Sequence, residues 1–109
     1  MNYKELEQKL GRQLVKSDWR QASGGGWIHV TAKVENEKNI RDNAIVMDNA
    51  RVSGNARVYG NACVCGSAQV YGDARICGNA CVSGYARVFG DAQIAGNACV
   101  YGDAKNYQG

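Results

Sequence analysis

Five cysteines and one histidine are the side chains of this 109-residue chain best suited to nucleophilic, redox or metal chemistry. The cysteines stand at 63, 65, 77, 81 and 99. With no Cys-x-x-Cys pair among them, they indicate neither a zinc ribbon nor a disulfide scaffold. Cys63, Cys65 and Cys81 could approach one ion, but residues two apart on a strand are well separated and a fourth ligand is missing. Disulfides between stacked strands would be strained, since parallel Cβ vectors stay about 4.8 Å apart against a preferred ~3.8 Å. Free thiols packed as small apolar side chains are expected, with no metal and no cofactor. His29 lies beside Trp27 with no second histidine to share a proton or an ion, so a structural or interface role is expected; no catalytic residue is assigned, and His29 is the general base only if the chain is an enzyme. Ser23-Gly24-Gly25-Gly26 invites a phosphate-loop reading, but a strand-like Trp27-Ile28-His29-Val30 follows it and the Gly-x-x-x-x-Gly-Lys-Ser/Thr order is absent.

What positions these residues is a repeat. From Ala50 to Gly102 the phrase Ala-x-Val/Ile-x-Gly recurs without insertion, its aliphatic member falling at 52, 58, 64, 70, 76, 82, 88, 94 and 100. Alternation puts Ala and Val/Ile on one side of a short strand and the residue between them on the other. Glycine, with the following Asn, Asp or Ser, supplies positive-φ turn chemistry at each corner. A chain that turns every six residues can bury its inner side only by coiling into a solenoid. Ile28, Val34, Ile40 and Val46 already keep the spacing, so the coil begins near residue 27. Lys38 at an alanine position, with Asp42 and Asp48 at glycine positions, predicts an irregular start.

The aliphatic residue with a small residue four positions on resembles the hexapeptide repeat of left-handed parallel β-helix proteins, among them hexapeptide acyltransferases. The resemblance covers most of the chain. It implies three hexads per coil, with residues about 18 apart stacked on one another. It also implies the left hand, which spacing alone would not suggest, since crossovers between parallel strands are usually right-handed. The fold expected is an all-β solenoid with a short N-terminal α-helix as cap: residues 1–26 form the capping helix and a flexible glycine link, residues 27–109 the β-helix. Asn2 and Glu5 make a capping box, and Tyr3, Leu6, Leu10 and Leu14 an apolar stripe, predicting a helix over 3–16 that closes the open end of the solenoid. A partner-binding helix is the alternative.

Sorting outward residues by face separates three surfaces. The first carries Lys33, Arg51, Arg87 and Lys105 beside an aromatic ladder of Tyr71, Phe89 and Tyr107. The second stacks Arg57 on Arg75 next to Tyr59, a repulsion that an anion would relieve. The third has no charge: Trp27, His29, Ile45, Met47, Cys63, Cys65, Cys81, Cys99 and Tyr101. An extended uncharged face marks a partner surface, so a homo-oligomer, trimer or dimer, is expected to bury it.

The net charge of +3 is mild, and without a concentrated basic stripe it argues against nucleic acid. No apolar run approaches the ~20 residues of a membrane span, and with no signal segment visible a cytoplasmic protein is expected. The leading functional expectation is a non-catalytic oligomeric β-helix acting as an interaction or anionic-ligand-binding protein through Arg57, Arg75 and Tyr59, or through Arg51, Arg87, Tyr71 and Phe89. The alternatives are an acyltransferase-like enzyme with its site between subunits and a structural assembly protein. Resemblance to short hexapeptide proteins of bacteria and phages implies, for the leading class, a viral origin and a role directed at a host factor.

Overall fold

A computed structural model describes residues 1–103 and 105–108, residues 106–108 by backbone only. The hexads become two-residue strands whose alternation fixes what is inside. In Arg57–Val58, for example, the arginine is exposed and the valine buried. Strands 18 residues apart pair in parallel and in register, giving an all-β solenoid of about four turns. The third face stacks Trp27–His29, Ile45–Val46, Cys63–Val64, Cys81–Val82 and Cys99–Val100. The first stacks Lys33–Val34, Arg51–Val52, Gln69–Val70, Arg87–Gly90 and Lys105–Gln108. The second stacks Arg57–Val58, Arg75–Ile76 and Gln93–Ile94, with Ile40 bridged to Val58. Inside runs one continuous apolar column, in which Val58, Val64, Val70, Ile76, Val82 and Val88 are inaccessible to solvent.

The corners differ in one respect from expectation. The left-handed backbone belongs to the glycine alone, with φ between 64° and 72° from Gly54 to Gly102; the following Asn or Asp does not share it. Those asparagines instead form a ladder, with Asn43, Asn61 and Asn79 each donating from Nδ2 to the next Oδ1 at 3.2 Å. Asp42 and Asp48 keep the glycine geometry, at φ 55° and 60°. Their carboxylates compensate by accepting the Gly60 and Gly66 N–H groups of the next coil at 3.0 Å. The irregular start is therefore narrower than expected, and centres on a single 3-10 turn, Glu37–Asn39.

The N-terminal segment departs further. Helix α1 spans Tyr3–Leu10, not 3–16. It opens on the expected Asn2/Glu5 capping box and stops at Gly11, whose φ of 70° lets its N–H reach back to the Glu7 and Gln8 carbonyls. A left-handed glycine ends a helix more readily than it extends one. Strand β1, Trp19–Gln21, was not foreseen; it pairs antiparallel with strand β2, Trp27–His29, as Trp19↔His29 and Gln21↔Trp27. The glycine run between them is close-packed and not a loose link: a Cβ on Gly24 would lie 2.5 Å from the Lys38 carbonyl oxygen. This hairpin, with Ala22 in the core cluster, covers the start of the column. Helix α1 lies along the flank of the solenoid instead of across its end. Leu6, fully buried, packs with Trp19, Trp27 and Ile45, joined by Tyr3, Leu10, Leu14, Met47 and Cys63.

Candidate functional site: two cationic faces and a covered third

That docking corrects the reading of the third face. Trp27 and Ile45, expected to lie exposed until a second subunit arrives, are covered by α1 of their own chain, and Met47 and Cys63 border the same cluster. The Trp27 indole donates to the Met1 carbonyl at 2.8 Å, and its ring meets Tyr3 edge-on at 6.0 Å. Lys9 donates to the Asn43 and Asn61 carbonyls at 3.2 and 3.5 Å, tying the far end of the helix to the corner ladder. His29 is held by Trp19, at 4.9 Å and nearly perpendicular, and by Thr31, whose Oγ1 lies 2.8 Å from Nδ1. What α1 leaves uncovered is half-buried Cys65 and Cys81, then exposed Cys99 and Tyr101.

All five cysteines are free thiols. Cys63 and Cys65, which the rise of two residues along a strand would keep apart, come within hydrogen-bonding reach of one another and of Cys81. The hydrogen bond from the Cys63 S–H lowers the Cys65 pKa to about 7, while Cys63 is pushed up by that same bond and by burial. Among the described residues no group of three or more His, Cys, Asp or Glu is arranged to hold a metal ion.

The second face has the more concave surface. Arg57 and Arg75 are exposed register partners on adjacent coils. They line a groove of about 570 Å³ with Lys38, Asn55, Asp73 and Asp91. The sequence pattern pointed to the arginines and not to the polar column that lines the groove with them. Asn55, Asp73 and Asp91 read as turn residues, yet their 18-residue spacing puts them in one column, where Asn55 donates to Asp73 at 3.2 Å. Tyr59 lies near enough for both arginines to act on its phenol, as expected, but it is not among the residues that line the groove. A hydrogen bond to Cys77 and burial hold its pKa above the ordinary value.

On the first face, Lys33, Arg51, Gln69, Arg87 and Lys105 are successive register partners, so Gln69 separates Arg51 from Arg87. Tyr71 and Phe89 stack with centroids 5.2 Å apart and planes 7° from parallel, as expected of a ladder. The side chain of Tyr107, its third expected member, lies outside the described residues. Among the described residues the ion pair is Arg20 with Glu37, at 3.0 Å, and none of these face arginines is in one.

No helix among the described residues is long and apolar enough to cross a membrane. No curated protein and no solved structure is significantly similar to the chain. Residues 50–66 and 74–90 match the YdcK beta solenoid repeat, so the stretch that builds the regular coils is similar to a known solenoid repeat, and the likeness speaks for the fold alone.

Proposed function

We propose that this chain is a non-catalytic binding solenoid that takes an anionic ligand in the groove of its second face. The observation that carries the reading is the pairing of Arg57 with Arg75, in register, exposed and without an ion pair among the described residues. Two guanidinium groups one strand spacing apart repel each other, and a phosphate or carboxylate bridging them converts that repulsion into charge-assisted hydrogen bonds. Lys38 adds a third cation, while Asp73 and Asp91 line the same groove as acceptors. The groove thus suits a small anion that also carries hydroxyl or amino donors better than a bare polyanion. Calorimetric titration with glucose 6-phosphate tests this. Binding by the wild type that weakens roughly tenfold or more in Arg57→Gln/Arg75→Gln supports it, as expected for loss of two charged hydrogen bonds; equal binding by both proteins refutes it.

The proposal includes assembly. Cys81, Cys99 and Tyr101 form an uncharged strip continuous with the cluster under α1, and Tyr101 is 70% exposed. A second copy packed on that strip would bury it without stranding a charge. His29, committed to Trp19 and Thr31, has no part in the reading.

A further inference from the structure

The aromatic ladder of the first face stops at Tyr71. Reading up its column from Phe89, the outward residues are Tyr71, then Ser53, then Glu35, joined coil to coil by Tyr71 N–H to the Val88 carbonyl, Ser53 N–H to the Val70 carbonyl and Glu35 N–H to the Val52 carbonyl, each at 2.9 Å. Phe89 covers one face of the Tyr71 ring. The other faces the rung of Ser53, whose side chain is too short to stack on it. From the rung above, the Glu35 carboxylate reaches across to the Ser53 coil, where it accepts the Gly54 N–H at 3.3 Å. From the Tyr71 rung to the Glu35 rung is two strand spacings, about 9.6 Å. A flat ring needs roughly 3.5–4.0 Å on each side, so the interval admits one ring, with the Glu35 carboxylate at its rim on the Gly54 side.

The surroundings specify the ring's substituents. Arg51 stands two residues before Ser53, about 7 Å along the extended chain, and Lys33 is its register partner on the coil above. Both are exposed. An anion joined to the ring by a short linker would reach this pair while the ring stacked on Tyr71. The Glu35 carboxylate favours a ring bearing an N–H donor and disfavours a second anionic group there.

We propose that the Ser53 rung is a binding slot for a nucleoside monophosphate, its base stacked on Tyr71 beneath Glu35 and its phosphate held by Arg51 and Lys33. The slot is on a different face from the Arg57/Arg75 groove and rests on different observations. Stacking on one aromatic face and one charged phosphate contact each contribute enough that losing either weakens binding roughly tenfold.

Adenosine 5′-monophosphate, titrated into the full chain by calorimetry, tests the slot. The wild type should bind it, with adenosine and ribose 5-phosphate each weaker by roughly tenfold or more. Ser53→Phe should remove the slot's equivalent of binding while leaving the melting temperature unchanged or raised, because the new ring extends the Phe89–Tyr71 stack. Arg51→Gln should weaken binding by a similar factor. Should Ser53→Phe misfold, Tyr71→Leu removes the stacking face and is expected to lose binding likewise. In Arg57→Gln/Arg75→Gln, which disables the second-face groove where a small phosphate would also be taken, adenosine monophosphate should still bind, and Ser53→Phe added to that background should abolish it, which separates the slot from the groove. Adenosine monophosphate bound equally by wild type and folded Ser53→Phe or Tyr71→Leu, or not bound by the wild type at all, overturns the proposal.

Discussion

Two alanine substitutions in one corner column separate the cost of backbone conformation from the cost of stacking. Gly78 and Gly96 sit 18 residues apart with nearly equal φ, 66° and 65°. In Gly96→Ala the added Cβ meets nothing within 4 Å, whereas in Gly78→Ala it lies 2.8 Å from the Gly96 nitrogen and 2.9 Å from its carbonyl oxygen. Both variants incur the left-handed penalty of about 1–2 kcal/mol. Gly78→Ala alone also presses on backbone that is fixed by the coil's hydrogen bonds, an overpacking cost of about 1–3 kcal/mol. Gly78→Ala is therefore expected to be the less stable by about 1–3 kcal/mol, or roughly 5–20 °C in melting temperature for a domain of this size. Thermal and urea melts followed by circular dichroism read the difference, with a common urea slope showing that the same unit unfolds. Equal losses would refute the reasoning, because they would mean that the glycines do not stack.

Leu6→Ala should destabilise by about 2–5 kcal/mol, the range for a buried leucine. It should also raise the alkylation rate of Cys63, because the side chain lost is the one that packs α1 on Trp27 and Ile45. Cys65 should be alkylated by iodoacetamide with a midpoint near its pKa of about 7, held down by the Cys63 S–H. Cys63→Ala should move that midpoint up toward 9.0, the ordinary thiol value. The sign carries over to stability: a thiol whose folded pKa is lowered contributes above its unfolded pKa, and that contribution is lost as pH falls through about 7. Peptide mapping of the alkylated protein across pH checks both. Cys81→Arg should dissociate the assembly, since a guanidinium buried without a partner at a symmetric contact costs several kcal/mol; light scattering that shows an unchanged mass would place the contact elsewhere.

The coils were legible because every level of the repeat agrees: Ala and Val alternate, glycine closes each hexad, and the register runs unbroken from Ile28 to Val100. The stacking of Arg57 on Arg75 and of Tyr71 on Phe89 followed from the 18-residue period that the family resemblance supplied. The course of the N-terminal segment was not legible. The Tyr3/Leu6/Leu10/Leu14 stripe requires an apolar surface but does not choose between the open end of the solenoid and its uncharged flank. Trp19–Gln21 lies outside the hexad register and pairs antiparallel, so the repeat held no signal for it. Gly11, inside the stretch expected to be one helix over 3–16, ends it, because its N–H, in the αL conformation, satisfies the last carbonyls. Asp73 and Asp91 looked like turn residues, and they are, but the same corner column also forms a wall of the groove. One residue serving both local geometry and a surface leaves no separate trace in the pattern.

The most direct test of the binding reading is native mass spectrometry of the protein purified from its expressing cells without denaturation, wild type beside Arg57→Gln/Arg75→Gln. The account predicts a retained anionic small molecule on the wild type that the double variant lacks, with the same subunit count in both. Identical adduct masses on the two proteins, or a wild type carrying none, would contradict it.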